Sequence, residues 1–415
     1  MELDKANPRQ KSVVREWTEA IVFAVFAATF IRMFLIEAYT IPTPSMENSL
    51  KVGDFLFVSK INYGSRMPMT PLSFPLVHNR MPFTGGESYT KAVQWDYKRI
   101  KGFQDIKLMD PVVFNFPEGD TIAIASAALV AQNPYEFKDR THYYDFLRRR
   151  GRSFVYRNFK VLARPVDKKD NYIKRCVGLP GNTIEIKEGQ LYIDGEEAQN
   201  PEGMQMMYRV LTSGVEPNPV KLKEWGIQLV NTNQGLKAHL DDTQLELLSG
   251  LDGVTSVIPD LRTLPVKSIA GGGSVFPHDP VNFPWAMDKF GPLTIPKMGE
   301  TVAIGPKNIA LYEKLIRDYE GNDLQIEAGR ILINGEEARE YTFKMDYYWM
   351  MGDNRHNSED SRVWGFVPVD HIVGKPLFIW LSLENGRLFD GTDQNGNPVD
   401  GGIRFDRMFK SATKE

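Results

Sequence analysis

Cysteine is almost absent from this chain, which carries a single thiol at Cys176. One cysteine cannot form an intramolecular disulfide, but this does not exclude an oxidising compartment, because such compartments also hold proteins without disulfides. The six histidines are scattered without the spacing of metal ligands. We therefore expect no structural metal site and no cofactor, and we expect Cys176 to be a small buried residue.

An excess of positive charge is also absent, since the formal net charge is -3 over 415 residues. A nucleic-acid-binding domain usually presents a strongly basic face, so we expect no nucleic-acid partner. One basic cluster occurs, at Arg148, Arg149, Arg150 and Arg152. Such a cluster is typical of a solvated surface, and contact with anionic lipid headgroups is the alternative.

Long apolar runs are lacking except for one, from Trp17 to Ile36, whose middle carries no charge between Ala20 and Ile31. About 20 mainly apolar residues suffice to cross a bilayer. We therefore expect residues 16–36 to form a transmembrane anchor. A cleaved signal peptide is the alternative, but the run is long for the apolar part of such a peptide.

Positive charges precede this run and an acidic residue, Glu37, follows it. The positive-inside rule then places residues 1–15 in the cytoplasm and everything after residue 37 on the outer face of the cytoplasmic membrane. We expect a single-pass protein, since no second run is long enough to span. The preceding basic residues are Lys5, Arg9, Lys11 and Arg15.

Beyond the anchor, short alternating apolar runs separated by glycine and proline predict a mainly β protein. Examples are FLFVSK from Phe55, VVFNF from Val112 and TIEIKEGQLYIDG from Thr183. The segments GNTIEIKEGQLYIDGEEA, from Gly181, and GNDLQIEAGRILINGEEA, from Gly321, match without a gap. Each predicts a hairpin, and either duplication or convergence explains the match.

Directly after the anchor, IPTPSMENSL contains two candidate nucleophiles, Ser45 and Ser49. Ser45 follows Pro44, and a stiff backbone favours holding a nucleophile in attack geometry. No histidine stands in a comparable setting, so a Ser-His-Asp arrangement finds no obvious base. A lysine can serve instead if burial lowers its pKa, and Lys174, in NYIKRCVGLPGN, has apolar neighbours.

A third segment, YYWMMGDNRHNSEDSRVWGFVP, joins an apolar lead-in to a dense polar cluster. Ser358, Asp360 and Arg362 alternate in it, so an extended backbone would point their side chains the same way. An aspartate and an arginine at this spacing can form a brace, and a serine can orient a neutral lysine. A polar loop that only stabilises itself is the alternative.

Together these segments resemble the type I signal peptidases, which carry IPSxSM, GDxxxVxK, DYIKRVIGLPGD and GDNRxNSxDSRxWGxVP in this order. The corresponding segments here are IPTPSM, GDFLFVSK, NYIKRCVGLPGN and GDNRHNSEDSRVWGFVP. Two departures are Pro44 before the serine and Glu47-Asn48 after Met46. His356 stands where the motif often has aspartate, and we interpret it as a tolerated surface variation, with a pH-sensing role as the alternative.

The resemblance implies a fold and a set of site residues. The fold is the mainly β, antiparallel catalytic fold of the family with one N-terminal transmembrane helix and an inserted β-rich cap. Its parts would be the catalytic core at 37–186, with insertions at about 62–110 and 118–169, an inserted domain or cap at 187–340, and the rest of the core with a C-terminal tail at 341–415.

Carried over by position, Ser45 is the nucleophile and Lys174 the general base. Thr43 and the N–H of Ser45 form the oxyanion hole, Ser358 orients Lys174, and Asp360 and Arg362 brace the loop. The substrate-binding residues are Tyr39, Ile41, Pro42, Met46, Tyr172 and Ile173.

The resemblance also implies a function, a membrane-bound endopeptidase that removes signal peptides from exported preproteins, with membrane lipids as further partners. Two alternatives stay open. One is a self-cleaving Ser/Lys repressor-type protease, although such proteins are soluble and carry a DNA-binding module. The other is a catalytically silent, membrane-tethered protein that binds exported peptides with the same fold.

Overall fold

The computed structural model describes residues 12–84, 86–117, 121–125, 129, 131, 141–142, 152–265, 275–327, 329–392 and 398–413. Its first element is the helix α1, Val13–Phe34, and none of its residues is buried against the rest of the chain. At about 1.5 Å per residue the helix is about 33 Å long, which matches the hydrocarbon core of a bilayer. The apolar run is therefore a helix long and apolar enough to cross a membrane.

The chain beyond α1 folds mainly into antiparallel sheet, as the alternating apolar runs predict. The largest sheet has seven strands, in the order β1-β2-β23-β3-β7-β21-β22, so its strands come from both ends of the chain. They are β1 (Ile36–Thr40), β2 (Asp54–Ser59), β3 (Pro111–Asn115), β7 (Asn171–Gly178), β21 (Tyr347–Met351), β22 (Val367–Pro368) and β23 (Ile372–Ser382).

Among the described residues, the strands of this sheet with an open edge include β1 and β7. Strand β1 is one of the two terminal strands and pairs only with β2, from Ile36 opposite Ser59 to Thr40 opposite Phe55. Strand β7 pairs with β3 along its first half, but β21 joins its other side only from Arg175 onward. Within the described residues, the first half of β7 therefore has one edge without a strand partner.

The two matching segments fold into the same three-stranded meander. In the first, Ile184 lies opposite Ile193, and in the second, Leu324 lies opposite Ile333, at the equivalent position. The first copy also pairs with β15, whereas the described residues add no strand to the second copy. The strands are β8 (Thr183–Lys187), β9 (Gln190–Ile193), β10 (Glu196–Glu197) and β15 (Phe290–Thr294) around the first copy, and β17 (Leu324–Glu327), β18 (Arg330–Ile333) and β19 (Glu336–Glu337) in the second.

Smaller sheets complete the described strands. A four-stranded sheet has the order β12-β13-β11-β14 and its own apolar core around Tyr208 and Leu248. The remaining strands are β4 (Thr121–Ala125), β5 (Thr141–His142), β6 (Phe159–Ala163), β11 (Met206–Thr212), β12 (Val230–Thr232), β13 (Gly235–Leu240), β14 (Val254–Pro259), β16 (Thr301–Ala303), β20 (Glu340–Thr342), β24 (Gly391–Thr392) and β25 (Pro398–Val399).

Short helices join these sheets. Residues Ile309–Lys314 form α5, followed by a π-helical turn at Leu315–Tyr319, and the apolar side chains of Leu311, Leu315 and Ile316 are buried. The short α-helices are α2 (Arg152–Asn158), α3 (Pro219–Glu224), α4 (Asp242–Ser249), α5 (Ile309–Lys314) and α6 (Ser361–Trp364). The 3-10 turns are Pro44–Met46, Val166–Lys168, Val369–His371, Glu384–Gly386 and Phe405–Arg407. Of the basic cluster, residues 148–150 lie outside the described residues.

Candidate active site

Ser45 lies in the 3-10 turn Pro44–Met46, three residues after the end of β1. Proline is favoured at the start of a helical turn because its φ is already fixed near the helical value. The turn is closed by a hydrogen bond from the Glu47 N–H to the Pro44 carbonyl, at 3.0 Å. Ser45 is 8% exposed, so its hydroxyl is held in a fixed place at the edge of a cavity.

Lys174 lies in β7 and is 3% exposed. Its Nζ is 2.6 Å from Ser45 Oγ, and it donates a second hydrogen bond to the Ile173 carbonyl at 3.0 Å. Burial lowers the pKa of Lys174 to about 8, although the carboxylates of Asp360 and Asp353 act to raise it. A lysine in this state can accept a proton near neutral pH, which an ordinary lysine cannot.

The hydroxyl of Thr43 lies 3.5 Å from Ser45 Oγ. Thr43 has an extended backbone, with φ -132° and ψ 152°, so the chain changes direction between the threonine and the serine turn. The threonine hydroxyl and the backbone N–H of Ser45 thus belong to one short segment. A hydroxyl and a backbone N–H are both donors of the kind that can stabilise an oxyanion.

Asp360 and Arg362 form a buried, bidentate ion pair. The Arg362 Nε donates to Asp360 Oδ1 at 2.9 Å, and the Arg362 Nη2 donates to Asp360 Oδ2 at 2.8 Å. Burial by itself would raise the pKa of Asp360, but the Arg362 guanidinium holds it below its usual value. The pair does not arise from strand alternation, because Asp360 is the N-cap of α6, which begins at Ser361. The carboxylate also accepts from the Gly352 N–H at 3.1 Å and so connects both ends of the loop.

Ser358 is 9% exposed, and among the described residues its Oγ has no hydrogen-bond partner, although it lies close enough to Asp360 to help lower the pKa of that carboxyl. In particular, no hydrogen bond joins it to Lys174. Gly352 lies against this serine, and a Cβ added there would overlap with the Ser358 hydroxyl. The orienting role of Ser358 therefore stays a prediction.

Sequence reasoning missed a second buried ion pair beside the site, between Arg175 and Asp353. The Arg175 Nε donates to Asp353 Oδ1 at 2.8 Å, and the Arg175 Nη2 donates to Asp353 Oδ2 at 2.6 Å. Ser49, the rejected candidate nucleophile, donates to the same carboxylate at 2.6 Å. The next residue, Asn354, contacts the turn that carries Ser45, since its backbone N–H donates to the Ser45 carbonyl at 3.1 Å. Two sequence features could have indicated these contacts. They are Lys-Arg in NYIKRCVGLPGN and Gly-Asp-Asn in GDNRHNSEDSRVWGFVP.

The interpretation of His356 as a surface variation was wrong, because the residue is 6% exposed. Its Nε2 lies 2.8 Å from an oxygen of Asp288, and its Nδ1 accepts a hydrogen bond from the Met207 N–H at 3.0 Å. Asp288 and Met207 lie far from His356 in the sequence and come from the region predicted as an insertion. His356 therefore connects that region to the loop that carries the Asp360 brace.

The cavity beside Ser45 is a groove of about 670 Å³. Its walls include the two open strand edges, from β1 on one side and from the first half of β7 on the other. All six residues that the resemblance predicts for substrate binding line it: Tyr39, Ile41, Pro42, Met46, Tyr172 and Ile173. Further lining residues that the sequence did not indicate include Leu56, Val113, His78 and Asn79.

The chain matches the family described as signal peptidase, peptidase S26, over residues 14–234 and 295–381. Because these residues make up well over half of the sequence, the chain belongs to this family of signal peptidases, and it is a hydrolase. The resemblance to bacterial type I signal peptidases is thereby confirmed.

Individual relatives agree with this assignment. Signal peptidase I of Haemophilus influenzae is 23% identical over 410 residues, covering 98% of this chain and 78% of the relative. Signal peptidase I of Pseudomonas aeruginosa is 24% identical over 397 residues, covering 93% and 78%. Signal peptidase I of Helicobacter pylori is 36% identical over 92 residues, covering 22% of this chain and 32% of the relative.

Proposed function

We propose that this chain is a membrane-bound serine endopeptidase that cleaves N-terminal signal peptides from exported preproteins with a Ser45/Lys174 dyad. The observation that carries the proposal is the 2.6 Å distance between Lys174 Nζ and Ser45 Oγ. A nucleophile and a base within hydrogen-bond reach are the geometric requirement for this chemistry. The pKa of Lys174, which burial lowers to about 8, provides the neutral amine that the base needs.

The reaction begins when neutral Lys174 takes the proton of Ser45 as Oγ attacks the scissile carbonyl carbon. The resulting ammonium group gives that proton to the leaving amine as the C–N bond breaks, which releases the mature protein. The signal peptide remains as an ester on Ser45. Water, deprotonated by the same lysine, then attacks the ester and releases the signal peptide as a carboxylate.

In both tetrahedral states the negative charge develops on the former carbonyl oxygen. The N–H of Ser45 and the hydroxyl of Thr43 are the donors that we assign to this oxygen. One such donor is typically worth about 3 to 4 kcal/mol. The proximity of the Thr43 and Ser45 hydroxyls, 3.5 Å apart, supports the assignment.

The substrate would enter the groove as an extended strand between Ile41–Thr43 and Tyr172–Ile173. Main-chain hydrogen bonds to the two open strand edges would then fix its register. Shallow apolar pockets would accept small side chains, such as alanine, at the first and third positions before the cut. Tyr39, Ile41, Met46 and Ile173 all line the groove, which supports this arrangement.

The helix α1 would anchor the enzyme in the cytoplasmic membrane with its N-terminus inside and the active site on the outer face. This topology can be tested with cysteine labelling, because the single native thiol, Cys176, is buried. A thiol introduced by Lys187→Cys, at an exposed position, should react with a membrane-impermeant maleimide in spheroplasts. A thiol introduced by Asn7→Cys should react only after lysis, and the opposite pattern would contradict the topology.

Processing of a preprotein by the full chain in liposomes tests the chemistry. The wild type should cut after a small residue, as sequencing of the product N-terminus reports, whereas Ser45→Ala and Lys174→Ala should not cut. Ser49→Ala and Lys187→Ala are matched controls that should retain cleavage, because these residues lie outside the dyad. If the dyad variants still cut, the assignment is wrong. If the wild type binds signal peptides without cutting them, the silent binding protein is the better description.

A further inference from the structure

A second cavity, of about 240 Å³, lies behind the substrate groove. Tyr39 and His78 line both spaces and separate them. The second cavity is lined by the last turns of α1, by the first inserted segment near Pro71 and by the 3-10 turn Val166–Lys168. Of the signal-peptidase motifs, Lys60 and Asn171 contribute to its wall, and the cleavage mechanism does not use this cavity.

Cations outnumber carboxylates around this cavity. Arg32 and Lys60 share a single carboxylate, that of Glu37, at 2.7 Å and 2.8 Å. Burial by itself would raise the pKa of Glu37, but Lys60 and Arg32 hold it at about 2. Glu37 therefore stays ionised and neutralises only one of the two cations.

Two further cations on the cavity wall, Arg66 and Lys168, have no carboxylate oxygen within ion-pair distance in the part of the chain that the structure describes, although the charge of Asp167 acts on both. Arg66 donates to the Asp370 carbonyl at 2.6 Å and to the Asn115 side chain at 2.7 Å, and both acceptors are uncharged groups. Lys168 is 8% exposed, and its Nζ lies 5.8 Å from the centre of the Tyr89 ring. Burial lowers the pKa of both side chains.

The remaining carboxylate on the cavity wall, that of Asp167, is already hydrogen-bonded within the protein. It accepts hydrogen bonds from the Thr70 N–H at 2.9 Å and the Thr70 hydroxyl at 2.8 Å. The cavity therefore holds four cations and two carboxylates, and both carboxylates are engaged. This leaves an excess of two positive charges, which is costly to withdraw from water, so a bound anion would stabilise the arrangement.

The position of the cavity indicates where such an anion would come from. Thr29, Arg32 and Met33 belong to the last turns of α1, the end of the helix that would leave the hydrocarbon core. Lipid phosphates lie at this level of a bilayer. The inserted segment beside the cavity also exposes apolar side chains, with Phe74 58% and Leu76 48% exposed, where an acyl chain could continue from a bound headgroup.

We propose that this cavity binds the phosphodiester group of an anionic membrane lipid, with Lys168, Arg66 and Arg32 as its donors. A phosphate offers several acceptor oxygens, which suits guanidinium and ammonium groups that converge from different elements. A zwitterionic lipid brings its own cation into a cavity that already has an excess of positive charge, so the site favours a headgroup with net negative charge. The inference rests on the membrane anchoring in the proposed function and adds a specific lipid site to it.

Titration of the full-length Ser45→Ala chain in detergent with short-chain phosphatidylglycerol, and separately with phosphatidylcholine of the same chain length, tests the proposal. The melting temperature at each lipid concentration gives the dissociation constant. Lys168→Met should weaken phosphatidylglycerol binding at least about tenfold, equivalent to about 1.4 kcal/mol. Lys101→Met is the control, since Lys101 is an exposed lysine of the first inserted segment, and the binding of phosphatidylglycerol should not change in this variant.

Each outcome is informative. Equal binding by the Ser45→Ala chain with and without Lys168→Met, or an equal loss in Lys101→Met, would overturn the proposal. Competition by inorganic phosphate in the Ser45→Ala chain, absent when Lys168→Met is added, would support a phosphate site that also takes the free ion. If Lys168→Met weakens the binding of a signal peptide with acidic residues near the cut and leaves phosphatidylglycerol binding unchanged, the cavity is a peptide subsite and the proposal is wrong.

Two features keep this test independent of folding and of proteolysis. Lys168→Met removes a buried cation without a carboxylate partner, so the melting temperature of this variant without lipid should not fall. If it does fall, the lipid titration is repeated with Lys168→Gln. Lys168→Arg keeps the charge and should keep the preference for phosphatidylglycerol. Because Ser45→Ala is used throughout, failure of the cleavage chemistry leaves the lipid result interpretable. Failure of membrane anchoring would appear separately, as a wild-type chain that does not insert into bilayers.

Discussion

Replacing Lys174 with methionine should abolish cleavage and at the same time stabilise the folded protein. Burial lowers the pKa of this lysine from 10.5 to about 8, which means that the fold disfavours the charged side chain. At about 1.4 kcal/mol per pKa unit, the cost of folding with a charged Lys174 is about 3 kcal/mol. Methionine has a similar length and carries no charge, so Lys174→Met removes this cost.

The pH at which stability is measured decides the size of the effect. Below pH 8 the lysine is charged in both the folded and the unfolded chain, and the full cost applies. Between pH 8 and 10.5 the folded chain loses its proton while the unfolded chain keeps it, so the stability of the wild type rises with pH. The advantage of Lys174→Met should therefore be largest near neutral pH and disappear by about pH 10.5. Loss of the hydrogen bond to Ser45 offsets about 1 kcal/mol of it.

Activity should follow the same titration. With a pKa of about 8, only about one Lys174 in ten is neutral at pH 7, so kcat/KM should rise about tenfold per pH unit below pH 8 and level off above it. Lys174→Met should lose at least about a hundredfold in kcat/KM, the minimum usual for a general base. Lys174→Arg keeps a charge that cannot be removed in this pH range, so it should also be inactive but without the gain in stability.

These effects are measured on the full chain in detergent. Denaturant unfolding at pH 7 and above pH 10 gives the two stability differences, and cleavage of a signal-peptide substrate across this range gives the pH profile. A methionine variant that is less stable than the wild type at pH 7 would refute the argument that burial of the ammonium group costs free energy. A rate profile without a rise below pH 8 would refute the role of the neutral amine.

Further predictions concern the residues around the dyad. Thr43→Val should lower kcat by about a hundredfold or more with little change in KM, because one oxyanion donor is lost, as steady-state kinetics can measure. Gly352→Ala should abolish cleavage of the same substrate, because the added Cβ overlaps with the Ser358 hydroxyl. Asp360→Asn should lower the free energy of unfolding by about 3 to 5 kcal/mol, because it leaves the Arg362 guanidinium buried without a counter-ion.

Each of these variants has a matched control. Thr43→Ser keeps the hydroxyl and should keep the activity, and an inactive Thr43→Ser would contradict the oxyanion role. Gly305→Ala places a Cβ in open space at an ordinary backbone angle, so cleavage of the substrate should be unchanged. Asp406→Asn removes an exposed carboxylate that lies 4.0 Å from Lys410, and it should change stability by less than about 1 kcal/mol. A loss in Asp406→Asn as large as that in Asp360→Asn would show that burial is not the cause.

Local sequence patterns predicted much of the fold. The apolar run gave α1, the alternating runs around Phe55 and Val112 gave β2 and β3, and the two matching segments gave two meanders of one register. These features depend on neighbours within a few residues, where side-chain periodicity decides the local structure. The six predicted substrate-binding residues line one groove because they lie in or just after two strands, β1 and β7, that flank it.

Contacts between distant segments could not be predicted in this way. Arg175 and Asp353 are far apart in the sequence, and neither has a local pattern that names the other as its partner. The burial of His356 depends on Asp288, which a polar, turn-rich region supplies. The cation cavity likewise depends on how Arg66 and Lys168 come together from two insertions, for which the motifs carry no information.

The two open strand edges make the groove a space with the shape of a missing strand. Anything that completes it must first be unwound, because a helix cannot offer its main-chain groups to neighbouring strands. A preprotein whose cleavage site stays helical would therefore be cut slowly even if its side chains suited the pockets. The same requirement would protect folded domains, whose strands are already paired, from cleavage. Discrimination by backbone conformation would thus precede discrimination by sequence.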